Sequence, residues 1–385
     1  MPDSTWVATK PLPGQGRTAI FALAVDPSNK DVVLAANSQG SILRTGDGGA
    51  SWTTVRTGKL AINTISFSPS TAGLVFAGTR GGGAYASRDG GVNWSAVAGL
   101  EGRSVRTFAY AVGLIAAGTD HGVYTSEDGS RWTQSGLTSP SISAIAVEAI
   151  HPPVRLLAGS DTVASGGTLS FFQSLDGGET WKRSSPAISG TMALRLVSGP
   201  LPPTGNVRPL VVGTNTGLFS SADNGATFTS LSGGGLLPTT DYSEVMFIAN
   251  HHDRFYVASD GGGSGSGGFW RTNDGGQNFS SLRAPEAAVT ALAVSNADQP
   301  TLYVATFKPS THEPKLWTYH DTGGVPVGPP TSSTTRASAS RTGRTADDLL
   351  SRLLSSPQLP YIGLGLGALA VLLTAIAAHL RARYR

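Results

Sequence analysis

The chain has 385 residues, 50 of them Gly, with 14% charged residues and no Cys. Against usual values of ~7% Gly and ~25% charged residues it is turn-rich and weakly charged, and the lack of Cys excludes disulfides, Cys-ligated zinc, iron–sulfur clusters and thiol nucleophiles. The formal charge of +3 belongs to the tail: from Arg336 onward lie 7 of the 28 basic residues and only 2 of the 25 acidic ones, leaving 21 against 23 in the body, so no nucleic-acid partner is expected.

Met1 to Lys10 is polar and lacks the basic flank and apolar run of a signal peptide, so no export is expected. Within it, Asp3-Ser-Thr-Trp6-Val-Ala-Thr resembles the second half of a motif that recurs along the chain. That motif, Ser/Thr-x-Asp-x-Gly-x-x-Trp/Phe, carries the pairs Asp47 and Trp52, Asp89 and Trp94, Asp176 and Trp181, Asp223 and Phe228, and Asp274 and Phe279; Asp128 and Trp132 belong to a copy one residue shorter. Consecutive Asp markers lie 42, 39, 48, 47 and 51 residues apart, a period that indicates blades, arrays or solenoids.

Each box is preceded by a short apolar strand ending in a small residue and a turn, and that strand by another, from AIFALAV at Ala19 to VTALAV at Val289. Seven of each, with one strand entering the box and one leaving it, make seven four-stranded antiparallel meanders, the blades of an all-β propeller. The seventh unit begins a box at Asp321 and breaks off, and its missing outer strand is supplied by Trp6 to Lys10, which closes the ring. The propeller is expected to span residues 1–322.

Residues 323–346, rich in Gly, Pro, Ser and Thr, form a linker that cannot bury a core. Residues 347–358 place Leu349, Leu350, Leu353 and Leu354 at helical spacing behind an Asp pair, which favours a short helix. Residues 359–380 enclose Tyr361 to Ala378, an uncharged run whose length of roughly 27 Å matches a hydrocarbon core, and 381–385 form a basic tail. One C-terminal transmembrane helix is expected. Arginines balance on its two sides, so the late position of the only insertion signal places the propeller on the cytoplasmic side. Gly363 and Gly367 form one GxxxG through which two such helices could pair.

The boxes resemble those of the Asp-box (BNR) propellers, a group that includes sialidases, sortilin-type receptors, certain glucan hydrolases and the photosystem II stability/assembly factor. The resemblance covers Trp6 to about Gly324 and is greatest to the last of these, also a single propeller. In such a fold the boxes are structural hairpin turns on one face, and the ligand face lies opposite, on the loops after the second strand and between blades. Here that face carries Arg17, Lys59, Arg80, Arg103, Asp120, His121, Asp161, Asp241, Asp260 and Lys308. Arg17, Lys59, Arg80 and Arg103 come from consecutive early blades and form either a basic patch or a scattered solvated rim.

No catalytic residue, metal site or cofactor is expected. Arg17 stands where a sialidase would have its first substrate-binding Arg, but in Gly16-Arg17-Thr18-Ala19 rather than an Arg-Ile-Pro motif. Glu148 and Glu244 are the main acids on inner strands, and His251 and His252 fit no metalloprotease pattern. The first reading is a non-enzymatic, membrane-anchored binding or assembly propeller with a protein or glycan partner on the ligand face. The alternative is a sialidase-like or other glycoside hydrolase, or a carbohydrate-binding relative.

Overall fold

The computed structural model describes residues 5–14, 18–163, 168–184, 186, 188, 190–233, 237–262, 267–308 and 310–323. The expected linker beyond Gly323, juxtamembrane helix, membrane span, basic tail and Gly363/Gly367 pair all lie outside the described residues. Among the described residues no helix is long and apolar enough to cross a membrane.

Seven four-stranded antiparallel sheets form the blades, and in six of them the strands follow chain order from the inner strand outward. The inner strands are Ile20–Asp26, Ile62–Phe67, Val105–Ala111, Ile142–Ala149, Ala193–Ser198, Glu244–Phe247 and Val289–Val294, which define blades 1 to 7. Each blade is covered on both faces by its neighbours. The second strands Val75–Thr79, Leu210–Thr214 and Phe255–Ser259 are therefore buried at every position and show no polar alternation. Small residues near the ends of these strands mark the closest approach of the next blade. A Cβ on Gly78 would stand 2.7 Å from the Val105 carbonyl of blade 3, and one on Gly213 would run into the Tyr242 carbonyl.

In the first repeated turn, the Thr45 hydroxyl donates to Asp47 Oδ1 (2.7 Å) and accepts the Gly49 amide (2.9 Å), while the Ser51 amide donates to Asp47 Oδ1 (2.8 Å). Gly49 lies at φ +93°, a conformation that favours Gly. Ser87 with Asp89, Ser174 with Asp176, Ser221 with Asp223 and Thr272 with Asp274 repeat the arrangement, and in the shorter copy the Ser130 amide reaches Asp128. Hydrogen bonds hold the carboxylates below their ordinary range: Asp47, Asp89 and Asp176 fall to about 2, chiefly through the hydroxyls of Ser51, Ser87 and Thr180 respectively. The aromatic that follows each turn reaches back to the previous blade, as Trp52 does to Tyr303 and Leu316 of blade 7.

Blade 7 combines Val289–Val294, Thr301–Lys308 and Glu313–His320 with the N-terminal strand Trp6–Ala8, in the register Trp6 to Tyr319, Val7 to Thr318 and Ala8 to Trp317. The N-terminal strand thus closes the ring, ending at Ala8 with one further bond from the Thr9 amide to the Leu316 carbonyl. Trp6 donates through Nε1 to the Leu282 carbonyl of blade 6 (2.9 Å) and lies 4.8 Å from the Tyr319 ring and 5.9 Å from Phe269. It packs against the preceding blade as the other box aromatics do.

The seventh turn is built differently. Tyr319 stands where the other copies have Ser or Thr, and Asp321 is fully buried. Its carboxylate receives Arg271 Nη1, Arg254 Nη2 (3.1 Å), the Tyr256 hydroxyl (2.5 Å) and the Gly323 amide (2.8 Å). Burial alone would push this carboxyl up, but the Tyr256 and Arg271 hydrogen bonds hold it below its ordinary value.

Three outcomes follow from this closure. Trp6→Ala should cost about 3 kcal/mol, and deletion of residues 1–10 more, because it also uncovers a strand edge; thermal melting reads both, and an unchanged midpoint would refute closure. Arg271→Met should cost about 3 to 5 kcal/mol by leaving a buried charge poorly compensated. The depressed carboxylates of the turns contribute stability that is complete above their unfolded value of ~4 and lost as pH falls toward 2, so acid titration of the fold should show its steepest loss there.

Candidate functional site

Backbone hydrogen bonds sort the loops onto two faces. The amides of Gly48, Gly90, Gly177 and Gly275, inside the Asp turns, donate to carbonyls of Asp31, Gly73, Val154 and Asp253 in or beside the connections from first to second strands. On the opposite face, Arg80 donates to Ala61, Gly83 to Arg103, Asp120 to Ser104 and Gly122 to Pro140, joining loops after second strands to the connections between blades. Lys59, Arg80, Arg103, Asp120, His121, Asp161, Asp241, Asp260 and Lys308 lie on this second face, while Arg17 is outside the described residues.

The basic residues of blades 1 to 3 share one surface because the Arg80–Ala61 and Gly83–Arg103 bonds stitch their loops together. Lys59 and Arg80 are exposed, Arg103 is half-buried, and Leu60 between them is 47% exposed. Among the described residues none of these three cations makes an ion pair. The carboxylates toward blades 3 to 6 are engaged instead. Asp120 accepts the Ser104 amide (3.0 Å) beside His121, and Asp161 takes Arg106 and the Ser141 hydroxyl (3.2 Å). Asp241 accepts the hydroxyls of Thr240 and Ser259, both at 3.0 Å. Burial, then the charge and hydrogen bond of Asp241, push Asp260 above its ordinary range.

Arg106 is a site residue that reading by motif misses. In six of the inner strands the pairing register breaks directly after the first residue, and the extra residue is Phe21, Asn63, Arg106, Ser143, Leu194 or Thr290. A bulge re-aims the side chain it inserts. Here it releases Phe21 to 46% exposure and turns Arg106 onto Asp161 of the next blade. The sequence signal is the polar or misplaced second residue in INTISF, VRTFAY, ISAIAV and VTALAV, which interrupts the apolar pattern.

The inner-strand acids occupy different surroundings. Glu148 is clamped by Gln173 Nε2 on both oxygens (2.9 and 3.0 Å), and the same nitrogen reaches the Asn224 carbonyl of blade 5, which makes this an inter-blade tie; burial pushes Glu148 up. Glu244 is buried with Arg195 Nε at 3.9 Å, and burial pushes it up to about 7. Among the described residues no group of three or more His, Asp or Glu could hold a metal ion.

No family model matches the chain, and no curated protein is similar enough in sequence to be matched. Solved structures do match. YCF48 from Cyanidioschyzon merolae is 17% identical with a TM-score of 0.54, covering 82% of this chain and 98% of its own. A structure of YCF48 bound to D1 peptide is 15% identical with a TM-score of 0.57, covering 82% and 94%. The GH74 xyloglucanase from Xanthomonas campestris is 13% identical with a TM-score of 0.58, and there the match covers 82% of this chain but 56% of the enzyme. At such identities the likeness is one of fold, and the chain is similar to YCF48 and to a GH74 xyloglucanase alike.

Glu244 yields a pH prediction. Its folded value lies above the unfolded one, so the native state keeps a proton that the unfolded chain releases above ~4.3, and stability should fall as pH rises from there to about 7, then level off. Denaturant titrations across that window should show the slope in the native sequence and a flatter profile in Glu244→Gln.

Proposed function

We propose that this chain is a non-enzymatic binding or assembly propeller of the Asp-box kind, held to a membrane by one C-terminal helix, with its propeller on the cytoplasmic side. Its partner is a protein segment rich in acidic residues, received by Lys59, Arg80 and Arg103 together with Arg17. The observation that carries this reading is the contiguous set of cations left without acids on the face opposite the Asp turns, with Leu60 exposed among them. Five turns built on the same Ser/Thr–Asp–Gly hydrogen bonds, with a shorter sixth in which Ser126 accepts the Gly129 amide, support the Asp-box assignment. The peptide-bound structure among the fold neighbours shows that a similar propeller receives a peptide.

Simultaneous reversal of Arg17, Lys59, Arg80 and Arg103 to Glu should abolish capture of the partner from cell extract. In the native sequence, capture should weaken with salt, because the Debye length shrinks from ~10 Å at 0.1 M to ~3 Å at 1 M. An unchanged set of captured proteins after reversal would reduce the patch to a solvated rim. Digestion of the propeller by external protease in intact cells would overturn the cytoplasmic placement.

A glycoside hydrolase is the second reading, favoured by the Asp241–Asp260 pair. Asp241, however, acts on Asp260 directly and pushes it up, whereas paired glycosidase acids stand ~5 Å or more apart across a sugar bond. Turnover of aryl glycosides above ~1 s⁻¹ would favour that reading over the first.

A further inference from the structure

The central channel holds a cavity of about 770 Å³ that reaches from Thr64, Thr107 and Arg195 to the loops on the Asp-turn side, where Pro200, Leu201 and Asn250 line it. Its volume falls within the ~300 to 1,000 Å³ of small-molecule sites. It lies away from the basic patch, and neither reading of the function uses it.

The charges on its wall are one-sided: Arg195 and Arg208 line it and no carboxylate does. Arg208 donates from Nη1 to the Gly199 carbonyl (2.9 Å), and burial, the sole influence on it, lowers its pKa. Arg195 Nε is buried without a hydrogen bond and is turned to Glu244 at 3.9 Å, an acid that does not line the cavity. Burial favours the neutral form of that acid, which leaves Arg195 under-compensated. Two half-buried guanidinium groups line one cavity, and no hydrogen bond occupies either Nη atom of Arg195 or Nη2 of Arg208 among the described residues, an arrangement that suits an anion because guanidinium matches a carboxylate in geometry.

The remaining wall is apolar. Ile150, Leu201 and Phe247 line the loop side, and Leu201 is 49% exposed, an unusual position for a large aliphatic residue beside a cavity mouth. Tyr110 adds an aromatic face while its hydroxyl is occupied by the Ser66 carbonyl (2.9 Å), so it offers contact area rather than a free donor.

We propose that this cavity binds a small organic carboxylate with an apolar body, its carboxylate held by Arg195 and Arg208 and its apolar portion against Ile150, Leu201 and Phe247. Ligand binding here is independent of the basic face, so loss of one leaves the other intact.

Calorimetric titration of the full chain with phenylbutyrate, and with phenylbutanol as its neutral counterpart, tests the site. Phenylbutyrate should bind about tenfold or more tightly than the alcohol, the gain expected of a charge-assisted hydrogen bond. Arg208→Gln should weaken phenylbutyrate by a similar factor without affecting the alcohol, and Arg208→Lys should recover part of the loss. Because Arg195→Gln also removes the partner of buried Glu244, Arg208, which makes no ion pair among the described residues, carries the decision. Equal binding of acid and alcohol, an affinity for the acid unchanged in Arg208→Gln, or no binding at millimolar ligand would each overturn the proposal.

Discussion

A blade of four short strands has two apolar faces and covers neither by itself. Its second strand is buried on both sides only when a blade lies against each, as the uninterrupted burial of Val75–Thr79 and Leu210–Thr214 shows. Every blade therefore depends on two neighbours, and an open array would leave an exposed face at each end. Closure of the ring satisfies this constraint, and Trp6 is where it is made: its strand completes blade 7 while its ring covers blade 6. The closure resembles a linkage across the whole sequence, since Trp6 donates to a carbonyl 276 residues away.

The Asp turns serve the same constraint locally. Each must reverse the chain tightly enough to aim the following aromatic at the previous blade, and a carboxylate that accepts several hydrogen bonds pins that reversal without needing a buried core of its own. In blade 7 the fourth strand comes from the N-terminus, and the sequence after Asp321 carries no aromatic at the box position. The carboxylate is turned inward instead, where Arg254 and Arg271 of blade 6 hold it. An element that elsewhere shapes a hairpin here fastens the end of blade 7's third strand to blade 6.

This difference explains what was legible in the sequence. The box residues lie within eight positions of one another and recur, so Thr45, Asp47, Gly49 and Trp52 reveal both their own geometry and the period of the fold. The N-terminal half-box could be matched to the broken seventh unit for the same reason. The partners of Asp321 are 50 and 67 residues away, with no local pattern to announce them. Arg106 was harder to read because a bulge marks its changed facing only by one polar residue in an apolar run, and the approach of Asp241 to Asp260 because the two lie before the first strand and after the second strand of blade 6, with no local pattern linking them. The basic loops were legible as positions on a face, but only the Arg80–Ala61 and Gly83–Arg103 bonds bring them into one surface.

The fold holds its small residues and Asp turns under tight steric demands, but it asks little of the loops on the opposite face, which is why 13 to 17% identity suffices for the shared architecture. Function is written where those demands are weakest. Lys59, Arg80 and Arg103 occupy blades 1 to 3, while Asp161, Asp241 and Asp260 lie toward blades 4 to 6, so the face carries opposite charge on its two sides although the body of the chain is nearly neutral. Since Asp161 is paired with Arg106 while Lys59, Arg80 and Arg103 make no ion pair among the described residues, the basic side has the stronger field toward solvent. A partner of the proposed acidic kind would be oriented as well as attracted, because it would gain by lying over the early blades and meet like charge if turned toward the later ones.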